Sequence, residues 1–596
     1  MAIKERTEIL EQDKWDLTKL FKTVKDWEDA FEESKELVDD VVSYKGKIME
    51  SSETLCNFYL AYDKMNRLVD KVYLYAKMEC DTDTTNPEYK ARKALVEKLV
   101  DDLLINISFC TPEILSADYS LVLKYIEDNP KLNDFKFDLE KMFRYKEHTL
   151  SEAEEELISK ANNALGTGRD VFYNFDNADI KLGSVIDDDG NEVEVTNSNY
   201  GKLMNSRNRE VRKATFSAMY EYFKNFKNTV SAAYIGQIKE DFFESSVRKY
   251  NSPLEKSLYH DDINIDVYKS LIDSVHDGLD SMYKYMELRK KALGLDEMHM
   301  YDIYVDIVSD SPKDIPFEEG KQIVFDALKP LGDEYLKDLE KAFTERWVDK
   351  YPSKGKRSGA YSWGCYDSYP YLLLNYNNTT DSVSTMAHEL GHSMHSYYAN
   401  KYQNSFNSSY PIFLAEIAST VNEVLLNDYL CKNATSKEER ILYLTEFLDK
   451  VRTTIYRQTM FAEFEMLIHD KYAAGTPITE TELSDTYYEL NKLYYGDNIV
   501  SDDYIRYEWS RIPHFYTPFY VYKYATGLSA AITIASDILD GKEDIRDAYL
   551  NFLKSGGSDY PLEILKRVGV DMTTKTPVER AIKMFEDKLE ELKKLI

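Results

Sequence analysis

Proline and glycine are scarce in this sequence, with 15 prolines and 22 glycines among 596 residues. Both residues interrupt helices, so their scarcity leaves long stretches in which amphipathic helices can form. The spacing of apolar residues predicts helices over residues 16–36, 54–80, 86–109 and 576–596. A hydrophobic fraction of 43% is enough to build a packed core. The sequence therefore predicts a mainly helical globular protein.

Two segments depart from the helical pattern. Residues 180–195 predict a β-hairpin whose turn lies at Asp189-Gly190. Residues 369–376 form a short apolar and aromatic run, in which Pro370 suits an edge or the start of a strand. We expect a small β-sheet here and a domain boundary near residue 200, just after the hairpin. The expected domains are an N-terminal helical domain, 1–200, and a second domain, 201–596.

Charge and cysteine content restrict the partners and the compartment. The chain has 75 Lys and Arg against 106 Asp and Glu, a net charge of −31. This balance argues against nucleic acid or an anionic membrane as the main partner. The five cysteines form no CxxC pair, and no apolar run approaches 18 residues. The N-terminal residues lack the apolar core of a secretory signal, so we expect a cytoplasmic protein.

Three of the nine histidines fall within eight residues, and two of them form the HExxH pentapeptide His388-Glu389-Leu-Gly-His392. On a helix, residues four apart share one face, so two imidazoles can converge on one zinc ion. Glu389 is then placed to take a proton from zinc-bound water. An apolar stripe lies nearly opposite His388, His392 and His395 on this helix, which disfavours buried core histidines. The alternative is that all three histidines are solvated.

His395 is a poor third ligand because it lies about 10.5 Å from His388 along the helix axis. We expect it to pack or to line a cleft. The third ligand has to come from another segment. Residues 411–423 form an apolar helix that carries Glu416 and Glu423 on one face. A carboxylate in an apolar stripe is costly to bury unless it is paired or bound to metal. Spacing alone does not decide which acid is the ligand and which orients an imidazole.

These motifs resemble those of the M3 zinc metallopeptidases, and within them the oligoendopeptidase F group. Glu416 follows HELGH by 24 residues within Phe-Leu-Ala-Glu-Ile-Ala-Ser-Thr. Other segments resemble the family as well, so the similarity extends over nearly the whole chain: residues 15–21, 358–362, 512–516 and 519–527. The metal motifs are its specific part, and the N-terminal likeness is weaker.

The resemblance implies a zincin-type (gluzincin-like), helical, two-lobed clam shell with a small β-sheet beside a deep substrate channel. It implies an N-terminal oligopeptidase F-type domain followed by an M3 catalytic domain. It also implies one Zn²⁺ ion per chain and cleavage inside short peptides. Among the two acids it selects Glu416 as the ligand, and it assigns oxyanion stabilisation to His514 and a nearby tyrosine. A phenol or an imidazole is a suitable donor to such an oxyanion.

The choice of tyrosine is less constrained than the choice of ligands. Thr517 is expected to cap a helix that starts at Pro518, which would place Tyr520 and Tyr524 on one face. The family pattern aligns here only with a gap, and we assign the role to Tyr522, with Tyr520 in reserve.

The substrate's main chain is expected to meet the strand at 369–376. An exposed strand edge binds an extended peptide by main-chain hydrogen bonds, and Gly359 and Ala360 would allow close approach. The alternative, equally weighted, is that these segments are buried and structural.

The sequence therefore predicts a cytoplasmic zinc endopeptidase acting on short peptides, without nucleic acid or membrane partners. Two other functions stay open: a non-catalytic helical protein that binds peptides, and a zinc carboxypeptidase or dipeptidyl-type exopeptidase. An exopeptidase would need a cation for the terminal carboxylate, and sequence does not show whether Arg506, Arg511 or Lys523 provides it. Oligomeric state, subsite preference and peptide length limit are not encoded in any motif.

Overall fold

The computed structural model describes residues 3–308 and 314–596. The chain folds into two compact units, each assembled from three separated segments. The segments of the first unit are Met1–Lys146, Pro312–Leu426 and Ile534–Gly569. Those of the second unit are Glu147–Ser311, Asn427–Thr533 and Val570–Ile596. The expected domain boundary near residue 200 and the two-lobed arrangement stay predictions.

The N-terminal segment is helical, as its apolar spacing predicts. Its helices are α1 (Val24–Val42), α2 (Ser52–Thr82), α3 (Pro87–Asn106), α4 (Cys110–Leu115), α5 (Tyr119–Asp128) and α6 (Lys136–Arg144). Helix α1 begins later than predicted because Thr23 caps it, accepting the Asp26 N–H. Asn86 caps α3, and Pro87 occupies the first helical position, where its missing N–H costs nothing.

The second segment contains the expected hairpin. Strands β1 (Ser184–Ile186) and β2 (Glu192–Glu194) are antiparallel, and Gly190 in the turn has φ of +82°. The hairpin prediction is therefore confirmed. The helices of this segment are α7 (Glu152–Leu165), α8 (Thr167–Asn177), α9 (Tyr200–Met204), α10 (Arg209–Asn225), α11 (Lys227–Val247), α12 (Pro253–Tyr259), α13 (Ile265–Asp277) and α14 (Leu279–Ala292).

A three-stranded sheet lies among the helices that follow. The elements are α15 (Phe317–Ala327), α16 (Asp333–Leu339), α17 (Lys341–Thr344), β3 (Val348–Asp349), β4 (Tyr361–Trp363), β5 (Tyr371–Leu373), α18 (Thr380–Tyr402), α19 (Ser405–Ser408) and α20 (Ile412–Asn433). The strand order is β3-β5-β4, with β3 parallel and β4 antiparallel to β5. Strand β5 is thus the middle strand.

The expectation of an exposed edge at residues 369–376 is wrong. All three residues of β5 are buried, and the Trp15 ring meets Tyr371 edge-on at 6.1 Å. The Tyr371 hydroxyl donates to the Asp16 carbonyl at 2.9 Å. The N-terminal segment therefore covers this strand, and β3 and β4 are the two outer strands of the sheet. Local sequence does not encode such distant neighbours.

The remaining helices are α21 (Lys437–Val451), α22 (Arg457–Ala473), α23 (Glu480–Tyr495), α24 (Tyr522–Leu539), α25 (Glu543–Ser555), α26 (Pro561–Lys566) and α27 (Thr576–Leu595). The fold is mainly α with small sheets, as predicted. Within residues 3–308 and 314–596, no helix is both long and apolar enough to span a membrane.

Candidate metal centre

Helix α18 presents two imidazoles on one face. Thr379 caps the helix by accepting the Ser382 N–H, so the HELGH pentapeptide lies in the interior of a 23-residue helix. His388 and His392 are one turn apart, and their Nε2 atoms face each other at 3.1 Å. Both side chains keep about a fifth to a quarter of their surface exposed, 27% and 19%. The pair is therefore directed towards accessible space.

Helix α20 brings a carboxylate to the same point. The Glu416 Oε2 atom lies 3.6 Å from each of the two histidine Nε2 atoms. A point equidistant from three atoms with these separations lies about 2.0 Å from each, the length of a zinc–nitrogen or zinc–oxygen bond. These three residues could hold a metal ion. Two imidazoles and one carboxylate are also the donor set of many catalytic zinc sites.

The close approach of α20 depends on the glycine of the pentapeptide. A Cβ atom on Gly391 would lie 2.5 Å from the Ser419 Cα and 2.7 Å from the Ala418 carbonyl oxygen. Both contacts are with backbone, which cannot move aside without shifting the helix. Asn422 strengthens the crossing, since its side-chain amide donates to the Ala387 carbonyl at 2.9 Å. The helices therefore cross closely enough for Glu416 to reach the histidines.

Hydrogen bonds on the far side of each imidazole orient the rings. Glu423 Oε1 lies 3.2 Å from His388 Nδ1, which leaves the Nε2 lone pair of that ring available for a metal. Burial lowers the pKa of His388, but the hydrogen bond to Glu423 and nearby carboxylates outweigh it and raise the pKa. The His392 ring donates to the Ala415 carbonyl. Burial and the neighbouring His388 lower the pKa of His392.

Glu389 lies between the three candidate metal ligands and the three-stranded sheet. It is 8% exposed, and its carboxylate accepts the backbone N–H of Ser362 on strand β4. Burial and the charge of Glu416 raise the pKa of Glu389 to about 7, although His388 and the Ser362 N–H act in the opposite direction. A carboxylate with this pKa can both accept and return a proton near neutral pH. The residue therefore has the environment of a general base.

Strand β4, an outer strand of the sheet, adjoins this carboxylate. A hollow of about 180 Å³ beside the start of the strand is lined in part by Gly359, Ala360 and, from α18, Thr385. At the other end of the strand, Trp363 is 38% exposed. An unpaired strand edge can bind an extended chain by main-chain hydrogen bonds. The arrangement therefore places an outer strand beside a candidate base and a candidate metal site.

Comparison with known proteins identifies the family of this chain. The model of peptidase family M3 matches residues 202–584, and that of oligopeptidase F matches residues 113–181. The chain belongs to peptidase family M3. It is 41% identical to oligopeptidase PepF of Bacillus subtilis over 592 residues, covering 99% of this chain and 88% of that protein. Such a relationship identifies this M3 peptidase as a metalloendopeptidase.

Solved structures give the same result for the fold. A protein from Chlamydophila abortus superposes with a TM-score of 0.93 at 38% identity, and both chains are covered completely. Oligoendopeptidase F from Enterococcus faecium gives a TM-score of 0.74 at 33% identity, covering 96% of this chain and 99% of that chain. The fold of this M3 peptidase is therefore that of the oligoendopeptidase F group.

His395 is a core residue of the M3 peptidase. Its side chain has no exposed surface, and its ring stacks on Tyr410 with 3.7 Å between centroids. Burial lowers its pKa to about 3, so the imidazole is neutral at physiological pH. The expectation that it packs is confirmed. The expectation that all three histidines face away from the core is wrong for His395, because helix α18 is covered on most of its circumference.

The predicted oxyanion residues all lie in the second unit. His514 lies in the single turn Pro513–Tyr516, and its Nε2 lies 3.4 Å from the Tyr524 hydroxyl. The Tyr520 ring lies 6.2 Å from the His514 ring and nearly parallel to it. Burial, together with the charge of Arg457, lowers the pKa of His514 and favours the neutral ring. His514, Tyr520 and Tyr524 therefore form one cluster, called the His514 cluster below.

Tyr522 does not join this cluster. Its side chain has no exposed surface, and its ring packs 5.3 Å from that of Tyr268. In this position the Tyr522 phenol is closed to solvent, which disfavours the role predicted for it. The expected start of the helix at Pro518 is also wrong, since α24 begins at Tyr522. Tyr520 lies before the helix, and it reaches His514 through the preceding turn.

Sequence reasoning missed three contributors to the site. The roles of Ser362 as a donor to Glu389 and of Gly391 at the helix crossing depend on contacts distant in sequence. Helical spacing identifies Tyr524 only as a neighbour of Tyr520. The signals were present, since Gly391 lies inside the pentapeptide and Ser362 ends one of the segments that resemble the family.

Proposed function

We propose that this M3 peptidase hydrolyses internal bonds of short peptides, using one zinc ion held by His388, His392 and Glu416. One observation carries the proposal: two imidazole nitrogens and a carboxylate oxygen converge at 3.1 Å and 3.6 Å separations beside the carboxylate of Glu389. A bound zinc ion would supply Lewis-acid polarisation and lower the pKa of water. Glu423 would hold His388 in its ligating tautomer.

Glu389 acts as the general base in this proposal. Its carboxylate accepts a proton from the attacking water as the oxygen bonds to the scissile carbonyl carbon. It then gives that proton to the leaving amine nitrogen when the carbon–nitrogen bond breaks. The Ser362 N–H orients the carboxylate, so the side chain is held in place throughout both transfers. No other acid is needed to balance the protons of hydrolysis.

Substrate main chain binds along the outer edge of β4. Main-chain hydrogen bonds place few demands on side chains, which suits cleavage of peptides with varied sequences. Gly359 and Ala360, in the adjoining hollow, leave room for a chain that continues past the cleaved bond. Binding on both sides of the scissile bond favours an endopeptidase over the exopeptidase alternative. The enzyme class likewise favours catalysis over a purely peptide-binding role.

The His514 cluster donates hydrogen bonds to the carbonyl oxygen as it gains negative charge, the role implied by the family resemblance. A neutral imidazole and two phenols are all competent donors. The cluster's partial exposure supports Tyr520 and Tyr524 for this task, and the burial of Tyr522 argues against that residue. The cytoplasmic location and the absence of nucleic acid and membrane partners stay predictions.

The deciding experiment compares wild-type protein with Glu389→Gln on a quenched fluorescent oligopeptide. The variant should bind zinc as tightly as the wild type and lose about 10²- to 10⁴-fold in kcat. A folded protein substrate, run in parallel with and without chelator, tests the restriction to short peptides. Peptidase activity that survives in Glu389→Gln, or that ignores chelator, would refute the mechanism.

Product mapping separates internal from terminal cleavage. A peptide of about ten residues, free or blocked at either end, should be cut at interior bonds regardless of blocking. Loss of cleavage when the C-terminal carboxylate is amidated would instead support the exopeptidase alternative, which requires a cation for that group.

A further inference from the structure

The segment that leads into α24 contains a strained turn. Phe519 has φ of +53°, a left-handed conformation that costs a residue with a side chain about 1–3 kcal/mol. Such a conformation persists only when surrounding contacts compensate for it. Phe519 precedes Tyr520 directly, so the direction of this turn determines where the Tyr520 side chain emerges.

Four contacts from three helices of the second unit hold the turn. The Phe519 N–H donates to Glu465 Oε1 of α22 at 2.6 Å. The Phe519 ring packs against Tyr268 of α13 at 5.9 Å and against His469 of α22 at 4.7 Å. The Ser257 hydroxyl donates to the carbonyl of Pro518, the preceding residue, at 2.9 Å. The strained residue is therefore fixed through both its backbone and its ring.

Glu465 is a buried acid that lacks a cationic partner among the contacts described for it. It is 1% exposed, and its hydrogen bond is the one to Phe519. Burial raises the pKa of Glu465 well above its usual range and, with the charge of Asp241, outweighs the Phe519 N–H, which lowers it. Burying an acid in this way is costly. A purely structural role would be served as well by an apolar residue of the same size.

A network of hydrogen bonds lies behind Glu465. His469 Nδ1 lies 2.8 Å from the Glu465 carbonyl oxygen, and its Nε2 lies 3.0 Å from Asp241 Oδ2. Gln237 donates to the other oxygen of Asp241 at 2.9 Å. The His469 ring that touches Phe519 is thus held by hydrogen bonds at both of its nitrogens. A network of this kind fixes a side chain to the precision that a catalytic donor needs.

We propose that Glu465 is a positioning residue for peptide hydrolysis: by accepting the Phe519 N–H it holds the turn that directs Tyr520 into the His514 cluster. The inference rests on the role proposed for that cluster. Without the acceptor, Phe519 would relax towards a negative φ and Tyr520 would leave its place beside His514 and Tyr524.

The test uses full-length, zinc-loaded protein and three single variants. Glu465→Met removes the acceptor at similar volume, and kcat should fall about 10- to 100-fold while KM changes less than about threefold. Glu465→Gln keeps a neutral acceptor and should retain kcat within about threefold of the wild type. Tyr520→Phe should lose about 10²-fold, as expected for one oxyanion donor.

Glu463→Met is the matched control for destabilisation. Glu463 lies two residues away on α22, is 8% exposed and bonds His276 and Tyr494 instead of the turn. This variant should lower Tm without reducing kcat when assayed below its melting transition. An equal loss of kcat in Glu463→Met and Glu465→Met would overturn the proposal, because general loosening of α22 would then explain both.

A double-mutant cycle makes the coupling explicit. If Glu465 acts through Tyr520, the double variant Glu465→Met/Tyr520→Phe should be no slower than Tyr520→Phe alone, within about threefold. If the fold-losses of kcat in the two single variants multiply in the double variant, the inference about Glu465 is overturned, while the role of Tyr520 stands. A silent Tyr520→Phe would refute the role proposed for this tyrosine and, with it, any positioning through it. A Glu465→Met variant that keeps the kcat of the wild type would overturn the inference about Glu465 and leave the role of the His514 cluster untouched.

Discussion

The Cα atom of Ser419 lies 2.5 Å from the position that a Cβ atom would occupy on Gly391. Because Ser419 follows Glu416 by less than one turn of α20, this contact determines how near the carboxylate comes to the two imidazoles of α18. The glycine of the HELGH pentapeptide is therefore a requirement of helix crossing, in addition to any preference within the helix itself.

Gly391→Ala should weaken zinc binding. The added methyl group forces α20 outwards and moves Glu416 away from His388 and His392, so we expect about a 10- to 100-fold loss of affinity. The overpacking should also lower stability by about 1–3 kcal/mol. Competition with a chromophoric zinc chelator measures the first effect, and calorimetry the second.

Gly527→Ala is the control for that variant. Gly527 also lies in a helix, but a Cβ atom there would meet nothing within 4 Å. This substitution should leave zinc affinity unchanged and be neutral or stabilising, since alanine favours helix. Unchanged zinc affinity in Gly391→Ala would contradict the importance of the crossing.

Glu423→Leu should reduce zinc affinity although Glu423 is not a proposed ligand. The substitution removes the acceptor 3.2 Å from His388 Nδ1 and frees the ring to adopt the other tautomer. We expect about a 10- to 100-fold loss, with a smaller loss in Glu423→Gln because the amide oxygen still accepts. Equal losses in the two variants would show that packing, and not the hydrogen bond, is responsible.

Single tyrosine-to-phenylalanine substitutions should distinguish the two tyrosines of the His514 cluster from the neighbouring Tyr522. Tyr520→Phe and Tyr524→Phe should each lower kcat, by about 10²-fold where the phenol donates to the oxyanion. Tyr522→Phe should keep kcat within about threefold, since the phenol is fully buried. Steady-state kinetics on the quenched peptide measures all three. A large loss confined to Tyr522→Phe would return the oxyanion role to Tyr522.

The raised pKa of Glu465 predicts a pH dependence of stability. Its pKa is raised on folding, so its contribution to stability is complete below about pH 4.3, the pKa of glutamate in the unfolded chain, and is lost as pH rises. Glutamine does not ionise and avoids this loss. The Tm of Glu465→Gln relative to wild type should therefore increase from about pH 4 to about pH 8 in scanning calorimetry. A difference that stays constant with pH would contradict a raised pKa of Glu465 in the folded protein.

Much of the site follows from local spacing. Residues four apart on a helix share a face whatever surrounds the helix, so the pairing of His388 and His392 was predictable from the sequence. The adjacent position of Glu389 and the β-turn at Asp189-Gly190 are equally local. Resemblance to a known family added Glu416, a residue that spacing could not separate from Glu423.

Tertiary structure decided the features that depend on distant segments. Strand β5 is buried because it is the middle strand and Trp15, far earlier in the chain, packs on it, whereas β4 is an outer strand. Glu416 and Glu423 share one face of α20, and only the crossing at Gly391 shows which carboxylate faces the Nε2 atoms.

The tyrosines near His514 show the same division between what local sequence predicts and what tertiary structure decides. The sequence by itself determined that aromatic residues surround His514, that two histidines share a face with a glutamate beside the first, and that helices dominate the fold. Only the tertiary structure decided that α24 begins at Tyr522 and that Tyr520 turns towards His514, because a carboxyl 54 residues away accepts the Phe519 N–H. Periodicity encodes the neighbours of a residue along one helix, whereas packing between helices depends on contacts that no local pattern records.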